Sequence, residues 1–183
     1  AESGIARSAD TVALMGRYSR EGYSRLARPH DVFQAAQDVV KVVLPATGRR
    51  VEVATSFEGD GKIDCVPEEF HQLLTNLIQN AIEASPDDGT GRVEVIGKGD
   101  ETSLTLTVSD NGPGIKPDNH AQIFTPFFTT KEPGAGMGLG LTIAWRVAQS
   151  LGGTLTEQGT YGKGATFVAR FPRRPRKEAP TNV

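Results

Sequence analysis

The chain has 183 residues, of which 37% are apolar and 23% are charged, a balance typical of one soluble globular domain. A net charge of −2 and a pI near 6.0 give no general attraction for nucleic acid. No stretch approaches the roughly 20 apolar residues of a membrane span. The single Cys65 excludes an internal disulfide and fits a reducing, cytoplasmic compartment. Because the chain opens on Ala1, we expect a fragment of a longer protein, whose membrane anchoring stays open.

The first half of the chain is predicted to be mainly helical. Residues 1–28 carry a loose apolar stripe, which predicts a helix that needs a partner to bury it. A break at Pro29 precedes a better amphipathic helix that is expected to end by Pro45. An alternating strand covers 49–57. A third helix then opens with Pro67 and two acidic residues in its first turn, which is a good start signal.

The second half is predicted to be mainly strand. Two alternating segments, 92–99 and 103–110, read as a hairpin. Residues 110–136 show no period, and so long an irregular segment is usually functional. A helix entered through glycines and two final strands complete the chain. This order predicts an α+β fold, a two-layer sandwich with helices on one face of a mainly antiparallel sheet.

Two asparagines, Asn76 and Asn80, lie one turn apart in the third predicted helix, and Glu83 continues their stripe. Asparagine is a poor helix former, so its repetition needs a reason. The stripe is either a solvent-facing polar surface or a site in which amides contact a hard cation and phosphate. The opposite, apolar face is predicted to be core: Phe70, Leu73, Leu74, Leu77, Ile78, Ala81 and Ile82.

The segment DNGPGI, residues 110–115, directly follows a predicted strand. It is either an ordinary tight turn or a ligand site. In the second case, Asp110 at the strand end can accept a hydrogen bond from an exocyclic amine. Gly112 and Gly114 then let the backbone approach a flat ligand.

Two further segments carry chemistry. GAGMGLGL, residues 134–141, enters a helix through glycines, so its N–H groups can surround an anion; the alternative is a simple hinge. It is neither a P-loop nor a dinucleotide fingerprint. In IFTPFFTTK, residues 123–131, three phenylalanines (124, 127 and 128) can pin the loop to the domain, and Lys131 can reach a terminal phosphate.

The order and spacing of these segments resemble the N, G1, F and G2 boxes of sensor histidine kinases. NLIQNAIEAS, DNGPGI, PFFTTK and GMGLGLTIA carry the resemblance, which covers residues 29–172. The chain is therefore similar to the catalytic ATP-binding domain of the GHKL (Bergerat) type. The short FFTTK loop is most similar to kinases of the nitrogen-regulation and oxygen-sensing kind.

The resemblance implies a role for each motif residue. Asn80 would coordinate Mg²⁺, with Asn76 alongside. Asp110 would bind the adenine amino group, and Thr166 of GATF would support that contact. Residues 116–135 would form the ATP lid, with Lys131 near the γ-phosphate. The backbone N–H groups implied to bind the phosphates belong to Gly136, Gly138, Leu139 and Gly140.

The resemblance also implies a division into parts and a set of partners. Residues 1–28 would be the remnant of a dimerisation helix, and 173–183 a flexible basic tail. The phosphoacceptor motif of the family is missing, since His30, His71 and His120 lack its context and are expected to be structural or exposed. The acceptor would lie on a separate dimerisation domain of a homodimeric full-length protein, and the phosphoryl group would pass to a response regulator. The oligomeric state of the fragment stays open.

Three other functions share this fold. Hydrolysing GHKL ATPases of the gyrase, chaperone and mismatch-repair kind carry a glutamate one turn before the metal-binding asparagine. Here Asn76 occupies that position, and an amide cannot take a proton from water at neutral pH. An anti-sigma-factor serine kinase is disfavoured by the additional N-terminal helix, and a catalytically silent nucleotide sensor by the intact set of boxes.

Overall fold

The computed structural model describes residues 27–132 and 136–173. Its helices each bury one apolar stripe of helical period. They are α1 (Val32–Thr47), α2 (Pro67–Ala84) and α3 (Gly140–Ser150). In the part of the chain that is described, no helix combines the length and the apolar character needed to cross a membrane.

The ends of α1 show what limits a helix. Asp31 begins it, since the carboxylate accepts hydrogen bonds from the N–H groups of Phe33 at 3.0 Å and Gln34 at 3.1 Å. The predicted end at Pro45 is two residues early. The helix closes at Gly48, which has a φ of 64° and supplies the left-handed cap.

Within the described residues, seven strands form two sheets. The strands are β1 (Arg28–Asp31), β2 (Val51–Gly59), β3 (Lys62–Cys65), β4 (Gly91–Gly99), β5 (Ser103–Asp110), β6 (Thr154–Glu157) and β7 (Thr166–Pro172). The main sheet has the order β2-β4-β5-β7-β6, in which β2 and β4 are parallel and the other pairs antiparallel. The short strands β1 and β3 pair separately. The prediction of a mainly antiparallel sheet with helices on one face is confirmed.

The core lies between this sheet and the helices. Along β5 the residues alternate, so that Leu104, Leu106, Val108 and Asp110 are buried while the residues between them face outward. The apolar stripe predicted for α2 is confirmed, because each of its seven residues is at most 3% exposed. The packing of α2 against the sheet therefore fixes the position of its polar stripe.

The parts predicted for the two ends of the chain lie mostly outside the described residues. These parts are the dimerisation-helix remnant, residues 1–28, and the tail beyond Arg173. Arg173 itself is not a solvated tail residue. Its guanidinium donates to the carboxylate of Asp60 at 2.9 Å and to the carbonyl of Lys62 at 2.6 Å, and its side chain is only 14% exposed. Arg173 therefore belongs to the folded domain.

Candidate functional site

The polar stripe of α2 faces the first turn of α3. Gly140 opens α3 directly beside Asn76, and a Cβ on Gly140 would lie 3.4 Å from Asn76 Oδ1. Asn76 Nδ2 is buried and has no hydrogen-bond partner among the described residues. A buried amide donor without a partner is costly unless a ligand supplies the acceptor.

The N-terminus of α3 offers further donors. Its first residues have no intrahelical acceptor for their N–H groups, and Leu139 at the cap position supplies no side-chain hydrogen bond. The positive end of the helix dipole also favours a negatively charged group at this position. The start of α3 thus forms a donor-rich corner suited to phosphate oxygens, with the Asn76 side chain beside it.

The loop before α3 is held by backbone contacts. Gly138 has a φ of 66°, and a Cβ there would lie 2.5 Å from the carbonyl carbon of Phe127. The Gly138 carbonyl accepts a hydrogen bond from the Phe127 N–H at 3.0 Å. Gly136 is more open, since its Cβ would meet only the Lys131 side chain, at 3.6 Å. Only glycine fits at position 138.

The aromatic segment is anchored by two of its three phenylalanines. Phe124 and Phe128 pack against the core, and the Phe124 carbonyl accepts a hydrogen bond from the hydroxyl of Thr142 at 3.0 Å. Phe127, by contrast, is 52% exposed and has a φ of 67°. The prediction that all three phenylalanines pin the loop is therefore wrong for Phe127, whose backbone is turned outward to pair with Gly138.

Asp110 lies at the end of β5 and is 9% exposed. Its Oδ1 accepts hydrogen bonds from the N–H groups of Gly112 at 2.9 Å and Ala165 at 3.2 Å, and no described residue donates to Oδ2. Burial raises the pKa of Asp110, and the nearby Glu157 carboxylate raises it further, while the two N–H donors oppose the shift. The protein thus fixes this carboxyl group and leaves one oxygen for another donor.

Thr166 makes no direct hydrogen bond to Asp110, and its role toward a bound nucleotide stays a prediction. Alternate residues of a strand face opposite sides, and Thr166 pairs with Ser109, on the outer face of the sheet. Its hydroxyl donates to Ser109 Oγ at 3.1 Å. The residue of β7 that contacts Asp110 directly is the preceding one, Ala165, through its backbone N–H.

Gly112 and Gly114 are closely packed against protein backbone. A Cβ on Gly112 would lie 2.4 Å from the carbonyl oxygen of Ala84, at the end of α2. A Cβ on Gly114, whose φ is 69°, would lie 2.9 Å from the carbonyl oxygen of Gly164. The side-chain direction at both glycines points at protein backbone rather than open space. Their small size is therefore needed for packing of the Asp110 turn, and the approach of a flat base at these glycines stays a prediction.

Lys131 reaches α2 from the irregular segment. Its ammonium forms an ion pair with Glu83 and lies 3.5 Å from Asn80 Oδ1. Burial acts to raise the pKa of Glu83, but hydrogen bonds from Lys131 and Gln79 outweigh this effect and hold the pKa below its usual value. Sequence reasoning placed Glu83 on the asparagine stripe but assigned it no partner.

The histidines and the cysteine lie elsewhere. His30 and His71 contact each other with ring centroids 5.2 Å apart, and His120 Nε2 lies 3.1 Å from the carbonyl oxygen of Ile115. Burial raises the pKa of the Cys65 thiol to about 11, which makes it a poor nucleophile. Within the described residues, no group of three or more His, Cys, Asp or Glu side chains could hold a metal.

Comparison with known proteins identifies the class. The family model described as histidine kinase-, DNA gyrase B- and HSP90-like ATPase matches residues 65–175. This is more than half of the chain, so the protein belongs to that family. The fold agrees, since the catalytic domain of the histidine kinase ThkA superposes with a TM-score of 0.73 at 24% identity, over 83% of this chain and 99% of that one.

The curated relatives narrow the class. Sensor histidine kinase ZraS of Salmonella typhimurium is 38% identical over 128 residues, which are 69% of this chain and 27% of ZraS. Sporulation kinase A of Bacillus subtilis is 37% identical over 123 residues, 67% of this chain and 20% of that protein. The chain thus spans about a quarter or less of these relatives. The chain therefore carries an ATPase domain of this family, and the relatives it resembles here are a sensor histidine kinase and a sporulation kinase. The nitrogen-regulation subtype stays a prediction.

Proposed function

We propose that this domain binds ATP with Mg²⁺ and donates the γ-phosphoryl group to a histidine on a separate dimerisation domain. The observation that carries the proposal is the buried Asn76 amide, which lacks a partner and lies beside the first residue of α3. It offers a donor where a triphosphate would lie. It offers no carboxylate that could activate water at the same position.

The residues present fit both groups that the family implies. Asp110 leaves one carboxylate oxygen for an exocyclic amine such as that of adenine. Asn80 Oδ1 faces a cation already, namely the ammonium of Lys131. When bound, Mg²⁺ would neutralise phosphate charge, and Asn80 is the residue that would hold it. The protein's own contribution is to position the triphosphate and to stabilise developing charge.

The partners follow from the missing acceptor. His30 is packed against His71, and burial together with the nearby His71 and Arg28 lowers the pKa of His30. The nucleophile would therefore come from the dimerisation domain of the full-length protein, in cis or in trans. One structural neighbour is the histidine kinase ThkA in complex with the response regulator TrrA; it is 23% identical to this chain and has a TM-score of 0.73. We infer a receiver domain as the final acceptor here as well.

A trans-phosphorylation assay tests the proposal. The domain is incubated with γ-labelled ATP, with and without a separately produced dimerisation domain of its own full-length protein. We expect acid-labile label on the dimerisation domain only, and a loss of this label with Asn80→Asp, because a carboxylate would alter the metal and phosphate contacts. The matched control is Gln149→Glu, the same amide-to-carboxylate change at an exposed position near the end of α3 that lies away from Asn80.

Two outcomes would contradict the proposal. One is strong acid-labile label on His30 of the isolated domain. The other is steady phosphate release without an acceptor, which would favour a hydrolysing ATPase.

A further inference from the structure

Lys131 joins two parts of the chain that are far apart in sequence. Its ammonium contacts Glu83 and Asn80, which are 48 and 51 residues away. The side chains of Lys131 and Glu83 are 37% and 28% exposed, so the pair is partly shielded from solvent. An ion pair in such a setting is stronger than a fully exposed one.

Glu83 is held in place by its own helix. Gln79 Nε2 donates to Glu83 Oε1 at 2.7 Å, and the other oxygen, Oε2, faces Lys131. Asn80 lies three residues before Glu83, so the two side chains leave α2 on the same side. An amide oxygen and a carboxylate oxygen thus converge on one cation. Oxygen donors of these two kinds are also those that hard divalent cations prefer.

We propose that Asn80 and Glu83 form a single cation position with two alternative occupants, the ammonium of Lys131 and Mg²⁺. This inference rests on the proposed function. In this structure the position holds the ammonium. When ATP binds with its metal, Mg²⁺ takes the position, because two cations next to one amide oxygen repel each other. The displaced Lys131 is then available to the terminal phosphate, which supplies a new counter-ion.

The exchange gives Glu83 opposite effects with and without metal. With Mg²⁺, the Glu83 carboxylate attracts the metal, directly or through water, and so strengthens nucleotide binding. Without metal, the same carboxylate competes with the triphosphate for Lys131, and it also repels the negative charge of the triphosphate. A residue that served only to support the helix would not change the sign of its effect when the metal is removed.

Titration calorimetry of ATP binding tests this reversal. Wild type, Glu83→Gln and a control, Glu94→Gln, are compared in MgCl₂ and in EDTA; Glu94 is exposed on β4, away from α2. We expect Glu83→Gln to bind about tenfold more weakly in Mg²⁺. In EDTA we expect it to bind about threefold more tightly. The control should match wild type in both buffers.

A second measurement uses the metal alone. Binding of Mn²⁺ without nucleotide, followed by electron paramagnetic resonance, is compared in wild type, Lys131→Met and the double variant Lys131→Met/Glu83→Gln. Removing the ammonium should strengthen Mn²⁺ binding about tenfold, and removing Glu83 as well should abolish that gain.

The inference is overturned by an equal effect of Glu83→Gln in Mg²⁺ and in EDTA, or by Mn²⁺ binding that is no tighter in Lys131→Met than in wild type. These results differ from a failure of the proposed function. In that case wild type would not bind ATP in either buffer.

Discussion

Strand β5 has an aspartate near each end, and the two carboxylates are in opposite situations. Asp100, in the turn before the strand, accepts hydrogen bonds from Thr102 and Ser103, which hold its pKa well below the usual range. Asp110, at the other end, is buried, and burial raises its pKa. The same side chain therefore stabilises the fold at one end of the strand and costs it stability at the other.

The contrast extends to the two ends of the main sheet. At the Asp100 end, Arg173 donates to the backbone carbonyls of Asp60, Lys62 and Asp100, so polar groups are satisfied by the protein. At the Asp110 end, Asn76 Nδ2 has no partner among the described residues, and Phe127 adopts a positive φ. An unpaired amide and a strained backbone thus occur together at the end where a ligand is expected. The opposite end also has an unpaired buried atom, His30 Nε2, but no described non-glycine residue with a positive φ.

The largest effect that we expect from this contrast is the loss of ATP affinity caused by Asp110→Asn. The variant keeps an oxygen for the N–H groups of Gly112 and Ala165 but presents an NH₂ group where the carboxylate would accept a hydrogen bond from the adenine amine. Two donors would then face each other, so ATP affinity should fall at least about 100-fold. The melting temperature at pH 7 should be unchanged or higher, because a buried charge has been removed. Calorimetric titration and thermal melting measure the two effects.

The pH dependence of stability checks the same variant. Because the folded-state pKa of Asp110 is raised, its favourable contribution is present below its usual value of 3.8 and is lost as pH rises through the folded-state pKa. The melting temperature of Asp110→Asn relative to wild type should therefore increase with pH across that window. A variant that melts well below wild type at pH 7, or that binds ATP normally, would break the comparison.

The second largest effect that we expect is the loss of stability caused by Arg173→Ala, at the Asp100 end of the sheet. The change removes the hydrogen bonds that the guanidinium donates to the carbonyls of Asp60, Lys62 and Asp100, and its ion pair with Asp60. The free energy of unfolding should fall by about 2 kcal/mol, with ATP affinity unchanged. Urea denaturation and calorimetric titration measure these quantities.

The matched control is Arg170→Ala on β7, which ends at Pro172 just before Arg173. Arg170 is exposed, and its one described side-chain hydrogen bond is to Ser103 Oγ at 3.5 Å. It should lose little stability. A fall in ATP affinity with Arg173→Ala would show that the two ends of the sheet are coupled and are not separate in function.

The parts that sequence could predict are those set by local periodicity. The apolar stripe of α2 fixes which side of the helix faces solvent, so Asn76 and Asn80 could be assigned to one polar face. The alternation of apolar residues along β5 likewise predicted that Asp110 lies at the end of a strand. Both predictions needed only residues within a few turns or strand positions of one another.

The parts that sequence missed depend on contacts between distant segments or on very short elements. Strands β1 and β3 have four residues each, too few for a recognisable alternation. The partner of Glu83 is 48 residues away, and that of Arg173 at Asp60 is 113 residues away. Thr166 was assigned to Asp110 by its motif, but the pleat turns it to the outer face and leaves the Ala165 N–H in its place.

The smallest effect expected is that of Asp100→Asn, which keeps the shape of the turn. The amide oxygen can still accept from Thr102 and Ser103, so only the charge of the acceptor is lost. We expect the melting temperature at pH 7 to fall by a few degrees, with no change in ATP affinity. Glu101→Gln, at the next exposed position, is the control for loss of a surface charge.

The pH profile of this variant should run opposite to that of Asp110→Asn. The folded-state pKa of Asp100 is lowered, so its contribution is present above its usual value of 3.8 and is lost as pH falls from there toward the folded-state pKa. The gap in melting temperature between wild type and Asp100→Asn should therefore be largest near neutral pH and narrow below 3.8. If the gap instead widened on acidification, Asp100 would not be the stabilising counterpart of Asp110, since the two ends of β5 would respond to protons in the same direction.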